Sequence, residues 1–147
     1  MANTFQISLR RSWDGSDLAT DPTEDEVREF FADPAIGRRG FSEVAINVFK
    51  VEGGEPKPFS GRLFSFYFSD DDKAVMSRSA DEFLVGERWC DQLIHLPGSG
   101  HGSEWKIDSR FFVPKSKVIE LVVELVKSGE ITSDVMWDDP KLDEHEI

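Results

Sequence analysis

The sequence predicts an α+β domain built on a mostly antiparallel sheet. Three observations lead there. Short period-two segments recur along the chain, two of them are joined by nothing longer than a polar turn, and a strongly amphipathic helix fills much of the C-terminal third. Strand, turn and strand in immediate succession favour a meander, because parallel strands need a crossover of a dozen or more residues. A length of 147 residues suits one hydrophobic core. No repeat, long linker or second domain is visible, so residues 1–139 are read as a single domain and 140–147 as an acidic tail that frays.

Phe5-Gln6-Ile7-Ser8-Leu9 alternates apolar and polar side chains, the mark of a half-buried strand. Asp14-Gly15-Ser16-Asp17 is expected to break it. Asp21-Pro22-Thr23-Glu24 reads as a helix start with Asp21 as N-cap and Pro22 at the first helical position. Val27, Phe30 and Phe31 then give one apolar face, and Asp33-Pro34 stops the helix near Ala32.

Val44, Ile46 and Val48 mark a second strand, and the stretch from Glu52 to Pro58 a turn or short loop. Leu63 to Phe68 is nearly all apolar with aromatics on both faces, which predicts a central strand. Ser69-Asp70-Asp71-Asp72-Lys73 is a tight polar turn, and Ala74 to Ser77 returns antiparallel. Residues 79–102 carry little periodicity. Trp105 and Ile107 suggest another short strand.

Pro114 to Ser128 is the clearest helix. Val118, Leu121, Val122, Leu125 and Val126 form its apolar face, and Gly129 sits where a left-handed C-terminal cap belongs. Val135 and Trp137 suggest a last strand.

Composition narrows the function. The chain carries 29 acidic and 17 basic residues, a formal net charge of −12. Nucleic acid and anionic membranes repel such a polyanion, so neither is expected as a partner. A basic protein partner is compatible with it, and so is acidity that serves only solubility. The single cysteine, Cys90, allows no internal disulfide and points to a reducing compartment. The first eleven residues lack the order of a secretory signal, and no apolar run approaches the roughly 20 residues of a membrane span. A cytoplasmic protein is the expectation.

Catalytic and metal constellations are not legible. His95, His101 and His145 form no HExxH, and there is no CxxC, so no metal site is expected. Asp70-Asp71-Asp72 lacks the spacing of a calcium loop and reads as a solvated turn. Gly98-Ser99-Gly100-His101-Gly102 is followed by neither Gly-Lys-Ser/Thr nor a helix start, so it is no phosphate cradle. Cys90 with His95 or His101 is a weak nucleophile pair, because a Cys beside Trp89 more often behaves as a small buried hydrophobe. A binding protein without cofactor is expected rather than an enzyme. Of Trp13, Trp89, Trp105 and Trp137, one exposed among acids would be a binding hot spot, and the sequence does not say which.

One stretch carries a family resemblance. Arg110-Phe111-Phe112-Val113-Pro114, the helix after it, Lys127-Ser128-Gly129-Glu130-Ile131 and then Val135-Met136-Trp137-Asp138 resemble the ending of Imm-one immunity proteins, antidotes encoded beside bacterial polymorphic toxins. The likeness covers about residues 103–139. It implies a largely antiparallel sheet packed against helices, and an antitoxin that occludes the active site of a cognate toxin domain, a nuclease or nucleic-acid deaminase with a basic cleft. Gly129, Glu130 and Trp137 are expected to be structural. Toxin contacts are expected on the loop tips, at Asp70, Asp71, Asp72 and Glu104, with Asp138 and Asp139 in second rank. The alternative is an unrelated cytosolic acidic binding or adaptor domain.

Overall fold

Strand follows strand along most of the chain. The computed structural model describes residues 4–11, 16–38, 41, 43–57, 60–97 and 104–141, without the side chains of Arg11, Ser16, Asp17 and Glu104. In order the elements are β1 (Phe5–Arg11), β2 (Ser16–Thr20), α1 (Glu24–Ala32), β3 (Val44–Glu52), β4 (Glu55–Pro56), β5 (Arg62–Phe68), β6 (Lys73–Ser79), β7 (Glu82–Val85), β8 (Ile94–Pro97) and β9 (Glu104–Ile107). A 3-10 turn (Ser109–Phe111), β10 (Val113–Pro114), α2 (Lys115–Ser128) and β11 (Met136–Asp138) complete the chain. The main sheet runs β11-β7-β6-β5-β3-β1-β2, with β4 beside β3 and β10 beside β6. Each of its strand pairs is antiparallel. The α+β fold with a large antiparallel sheet is therefore as the sequence predicts, and Leu63 to Phe68 lies in a central strand.

Alternation sorts the side chains between two cores. Phe64, Phe66 and Phe68 of β5 join Ile7, Leu9, Val44, Ile46 and Val48 on one face, under Val27 and Phe31 of α1 and Val118, Leu121, Val122 and Leu125 of α2. Phe31 packs within 5.0 Å of Phe68 and 5.8 Å of Phe66, centroid to centroid. On the opposite face Val75 and Phe83 meet Phe41, Leu96, Ile107, Phe111 and Phe112. There the β8–β9 hairpin forms a small sheet of its own. Each face buries its own aromatic cluster, so the sheet is covered on both sides over β6 and β7.

Local starts and stops follow backbone chemistry. The first helix begins at Thr23, not at Asp21. Thr23 Oγ1 accepts from the Glu26 N–H at 3.2 Å, and the Glu26 carboxylate accepts from the Thr23 N–H at 3.1 Å, a complete capping box. Asp21 is held elsewhere: Asp21 Oδ1 accepts from the Ile7 N–H at 2.8 Å, and its own N–H reaches the Ile7 carbonyl. The expected break at Ser16-Asp17 is instead the start of β2, because β1 supplies a pairing edge with one register irregularity after Leu9. The expected turn tightens into a β3–β4 hairpin that pairs Glu52 with Glu55, with Gly53 and Gly54 both at positive φ, and Pro58 lies outside the described residues. α2 closes on Gly129 at φ +77, as its sequence position predicts. Pro140 is buried, so packing continues one residue past the expected boundary at Asp139. The tail from 142 onward, Trp13, Asp14-Gly15, the Gly98–Gly102 loop, His101 and His145 lie outside the described residues.

Charge links the two helices. The Glu24 carboxylate takes hydrogen bonds from Lys127 Nζ at 2.6 Å and Arg28 Nε at 3.0 Å, which hold it below the usual carboxylate range. Arg28 also reaches Glu120 on α2 at 2.7 Å. Glu124 performs a different task. Its carboxylate accepts from the N–H and hydroxyl of Thr132 and of Ser133, at 2.6 to 3.1 Å, and so ties the segment after α2 back onto the helix. Among the described residues no helix is long and apolar enough to cross a membrane.

Candidate interaction surface

The stretch after β7 is where sequence periodicity fails and where the surface becomes informative. Residues 86–93 have no regular structure, yet they are fixed by the buried Ser109 at their back. The Ser109 hydroxyl accepts from the Trp89 N–H at 2.9 Å and the Cys90 N–H at 3.1 Å, and donates to the Cys90 carbonyl at 3.2 Å. Three bonds fill the capacity of one hydroxyl, a donor with two lone pairs. The Gly86 N–H adds a bond to the Arg110 carbonyl at 2.7 Å, and Arg88 pairs with Asp108 at 3.3 Å.

This pinning presents Trp89. Its indole N–H donates to the Phe112 carbonyl at 3.1 Å, while 47% of the residue stays exposed. Trp105 and Trp137 are each partly buried. Trp137 packs against the helix-side core on one flank, and the Arg78 guanidinium lies 4.5 Å from its ring centroid. Among the described residues Trp89 is thus the exposed indole, and it sits in a loop. Glu87 and Asp91 flank it, both exposed and without a side-chain ion pair among the described residues, and Leu93 is 44% exposed.

Trp89 is joined to the acidic turn between β5 and β6 through Lys73, whose Nζ stands 5.4 Å from the indole centroid. The three aspartates of that turn differ from one another. Asp70 pairs with Arg38 at 2.8 Å, while Asp71 and Asp72 are exposed and carry no ion pair among the described residues. Asp72 sits at φ +61, and its carbonyl accepts the Lys115 N–H at 2.9 Å, which anchors the turn to the start of α2. Arg38 therefore pairs with one of the three carboxylates, while Lys73 and Lys115 stand beside the turn with their ammonium groups over the Trp89 and Phe68 rings, so the turn is a mixed-charge edge rather than a bare acidic tip. Tyr67 lies behind it, edge-on to Phe112. Burial raises the Tyr67 phenol above its ordinary value, Asp70 and Asp71 push the same way, and Arg38 opposes them.

The other residues expected to contact a partner are dispersed. Glu104 stands opposite Pro97 in the β8–β9 hairpin, and the Pro97 carbonyl accepts the Phe41 N–H at 3.0 Å. Phe41 is three residues from Arg38, at most about 11 Å along the chain, so this end of the hairpin borders the same rim. Asp138 belongs elsewhere. It pairs in register with Phe83, and Phe83 with Ser77, four residues along β6 from Lys73 and two strands across. Strand spacings place it roughly 17 Å from Lys73. The Asp139 N–H and then the Arg110 guanidinium, at 2.8 Å each, hold the Asp138 carboxyl below its usual range. Asp139 turns back to accept the Lys141 N–H at 2.7 Å.

Motif residues sort by contact. Gly129 is buried against the Phe5 ring, and its carbonyl accepts from Arg62. Glu130, expected to be structural, is exposed and its side chain makes no hydrogen bond or ion pair among the described residues. Cys90 is half-buried, and its thiol accepts from the Gln92 N–H at 3.4 Å. Among the described residues no three His, Cys, Asp or Glu side chains gather to hold a metal ion.

Sequence reasoning missed Ser109, Glu87, Asp91 and Leu93. The available signal was a tryptophan in an aperiodic polar stretch, and loops held by a rigid scaffold often carry function. Comparison of the chain with protein-family models, with curated proteins and with solved structures found no match in any of the three.

Proposed function

We propose that this chain is a cytoplasmic immunity protein that binds a cognate toxin domain and occludes its active site. The observation that carries the reading is the half-exposed Trp89, locked from behind by Ser109 and flanked by Glu87, Asp91 and the turn of Asp70, Asp71 and Asp72. Binding energy concentrates in a few residues, tryptophan prominent among them, when they are held in place before the partner arrives. A surrounding excess of acid, within a chain of net charge −12, speeds encounter with a basic cleft. The likeness of residues 103–139 to the ending of Imm-one immunity proteins supports the same reading. Nucleases and nucleic-acid deaminases are the proposed toxin class, because their substrate clefts are basic.

The test is co-expression with the product of the adjacent gene. The expected outcome is copurification of a stable complex and survival of cells that the neighbour alone kills. A neighbour that is harmless and does not copurify refutes the proposal. The Arg38–Asp70 ion pair, with Lys73 and Lys115 beside the same turn, favours a second reading, an acidic adaptor whose charge serves solubility. Under that reading the chain confers no protection, and association with its partner is insensitive to salt.

A further inference from the structure

The contact between Lys73 and Trp89 is a cation site that the chain fills with its own side chain. An indole attracts an ammonium or guanidinium by its quadrupole, and the attraction strengthens once water is excluded. Here the indole edge is anchored on the Phe112 carbonyl, the main chain on either side is clamped by Ser109, and Lys73 Nζ stands 5.4 Å from the ring centroid. Lys73 is only partly buried and has a flexible four-carbon stem, so it can swing off the ring without disturbing the backbone pairing of β6. Asp71, Asp72, Glu87 and Asp91 remain to balance an incoming positive charge.

We infer that a basic side chain of the partner, an arginine in particular, displaces Lys73 from the Trp89 face when the complex forms. Arginine is favoured over lysine because its guanidinium is planar, more weakly hydrated, and stacks on an aromatic face while its edge N–H groups reach carboxylates. The inference rests on the proposed binding function for its biological partner. The site itself is testable on the isolated chain.

The site predicts effects of opposite sign at two touching residues. Trp89→Ala removes the platform and weakens binding. Lys73→Gln removes the resident competitor and tightens it. Removing any lysine from an acidic chain favours a cation in general, so the decisive measurement is the double-mutant cycle. If Lys73 acts through the indole, Lys73→Gln tightens binding about threefold more in the parent than in the Trp89→Ala background. Lys115→Gln, a charge change off the indole, serves as the control and tightens both backgrounds equally.

The probes are acetylated hexa-arginine and hexa-lysine peptides, titrated calorimetrically at low salt into the full chain, with thermal midpoints confirming that each variant is folded. Hexa-arginine is expected to bind more tightly than hexa-lysine and to lose about fivefold in affinity on Trp89→Ala, with Trp89→Phe intermediate because a phenyl face is a weaker platform. Equal affinities for parent and Trp89→Ala, or a Lys73→Gln effect of the same size with and without the indole, would overturn the inference. In the complex with the toxin domain, Trp89→Ala should weaken binding about 30-fold, as truncation of an interface anchor does. Loss of peptide selectivity without loss of toxin binding refutes the arginine site in the complex alone. Absence of toxin binding by the parent, with the peptide cycle intact, refutes the immunity reading alone.

Discussion

Gly129→Ala perturbs one position that the structure constrains twice. The residue closes α2 at φ +77 and ψ 1, with its N–H on the Leu125 carbonyl at 2.7 Å. An L-residue held in the left-handed region costs about 1–2 kcal/mol. The added Cβ also falls 2.8 Å from Phe5 Cγ and 3.0 Å from Cδ1. Ordinary carbon contacts lie at about 3.5–4.0 Å, so the ring must retreat by roughly 0.7 Å. Overpacking of this kind costs about 1–3 kcal/mol, and the lower half of the range applies because Phe5 is only partly buried and has room to move. Alanine returns about 0.4–1 kcal/mol by restricting the unfolded chain. The net expectation is a loss of about 2–3 kcal/mol, which for a domain of this size lowers the thermal midpoint by roughly 4–12 °C. Urea unfolding followed by circular dichroism measures it. Phe5→Leu in the same background should recover about 1 kcal/mol, because the coupling between contacting residues is the ring overlap itself. A Gly129→Ala midpoint equal to the parent's, or a full loss with no coupling to Phe5, refutes the account of this cap.

Other consequences can be checked on the same footing. Glu124→Gln should destabilise the domain at neutral pH by about 1–2 kcal/mol, since an exposed carboxylate that gathers four hydrogen bonds is screened in part by water. Hydrogen bonds from Thr132, then Ser133, hold its carboxyl below the usual range. The stabilisation is therefore full above the unfolded pKa of about 4.3 and is lost as pH falls through the folded value, so the two proteins should converge in acid unfolding. Ser109→Ala strips three hydrogen bonds from residues 86–93 and should cost about 2–3 kcal/mol. It should also raise the accessibility of Trp89 to acrylamide quenching, and an unchanged quenching constant would show that the loop is fixed by something else. Replacing Asp70, Asp71 and Asp72 by Asn should slow association with the proposed toxin partner and flatten its salt dependence while changing dissociation little, because exposed charges are screened within about 8 Å at physiological salt. Asp70 is paired with Arg38 while Asp71 and Asp72 carry no ion pair among the described residues, so Asp70→Asn alone should have the smallest effect and chiefly loosen Arg38.

Periodicity and punctuation were sufficient wherever one residue type answers one backbone demand. Period-two runs placed the strands around Ile7 and Ile46, a nearly all-apolar run placed the one around Phe66, and Pro114 and Gly129 bounded α2, because alternation, the missing proline N–H and the left-handed cap are local requirements. Locality also explains the misjudged helix start. Asp21-Pro22 and Thr23-Glu26 are both acceptable starts, and the choice fell to a distant contact, the Ile7 N–H that captures the Asp21 carboxylate. β2 was illegible for a related reason, since Ser16 to Thr20 has little strand propensity and is ordered by the edge of β1.

The sequence by itself determined the fold class, the helix boundaries at Pro114 and Gly129, and the excess of acidic side chains. Only the tertiary structure decided which of the described tryptophans meets solvent, which aspartate of the turn is already paired, and that the Glu130 side chain makes no hydrogen bond or ion pair among the described residues. Those outcomes depend on residues far apart in the chain: Ser109 fixes Trp89 across twenty residues, and Arg38 pairs with Asp70 across more than thirty. Long-range pairings of this kind leave no period in a sequence, because they arise from where the sheet brings its loops together and not from any local preference of the residues that meet.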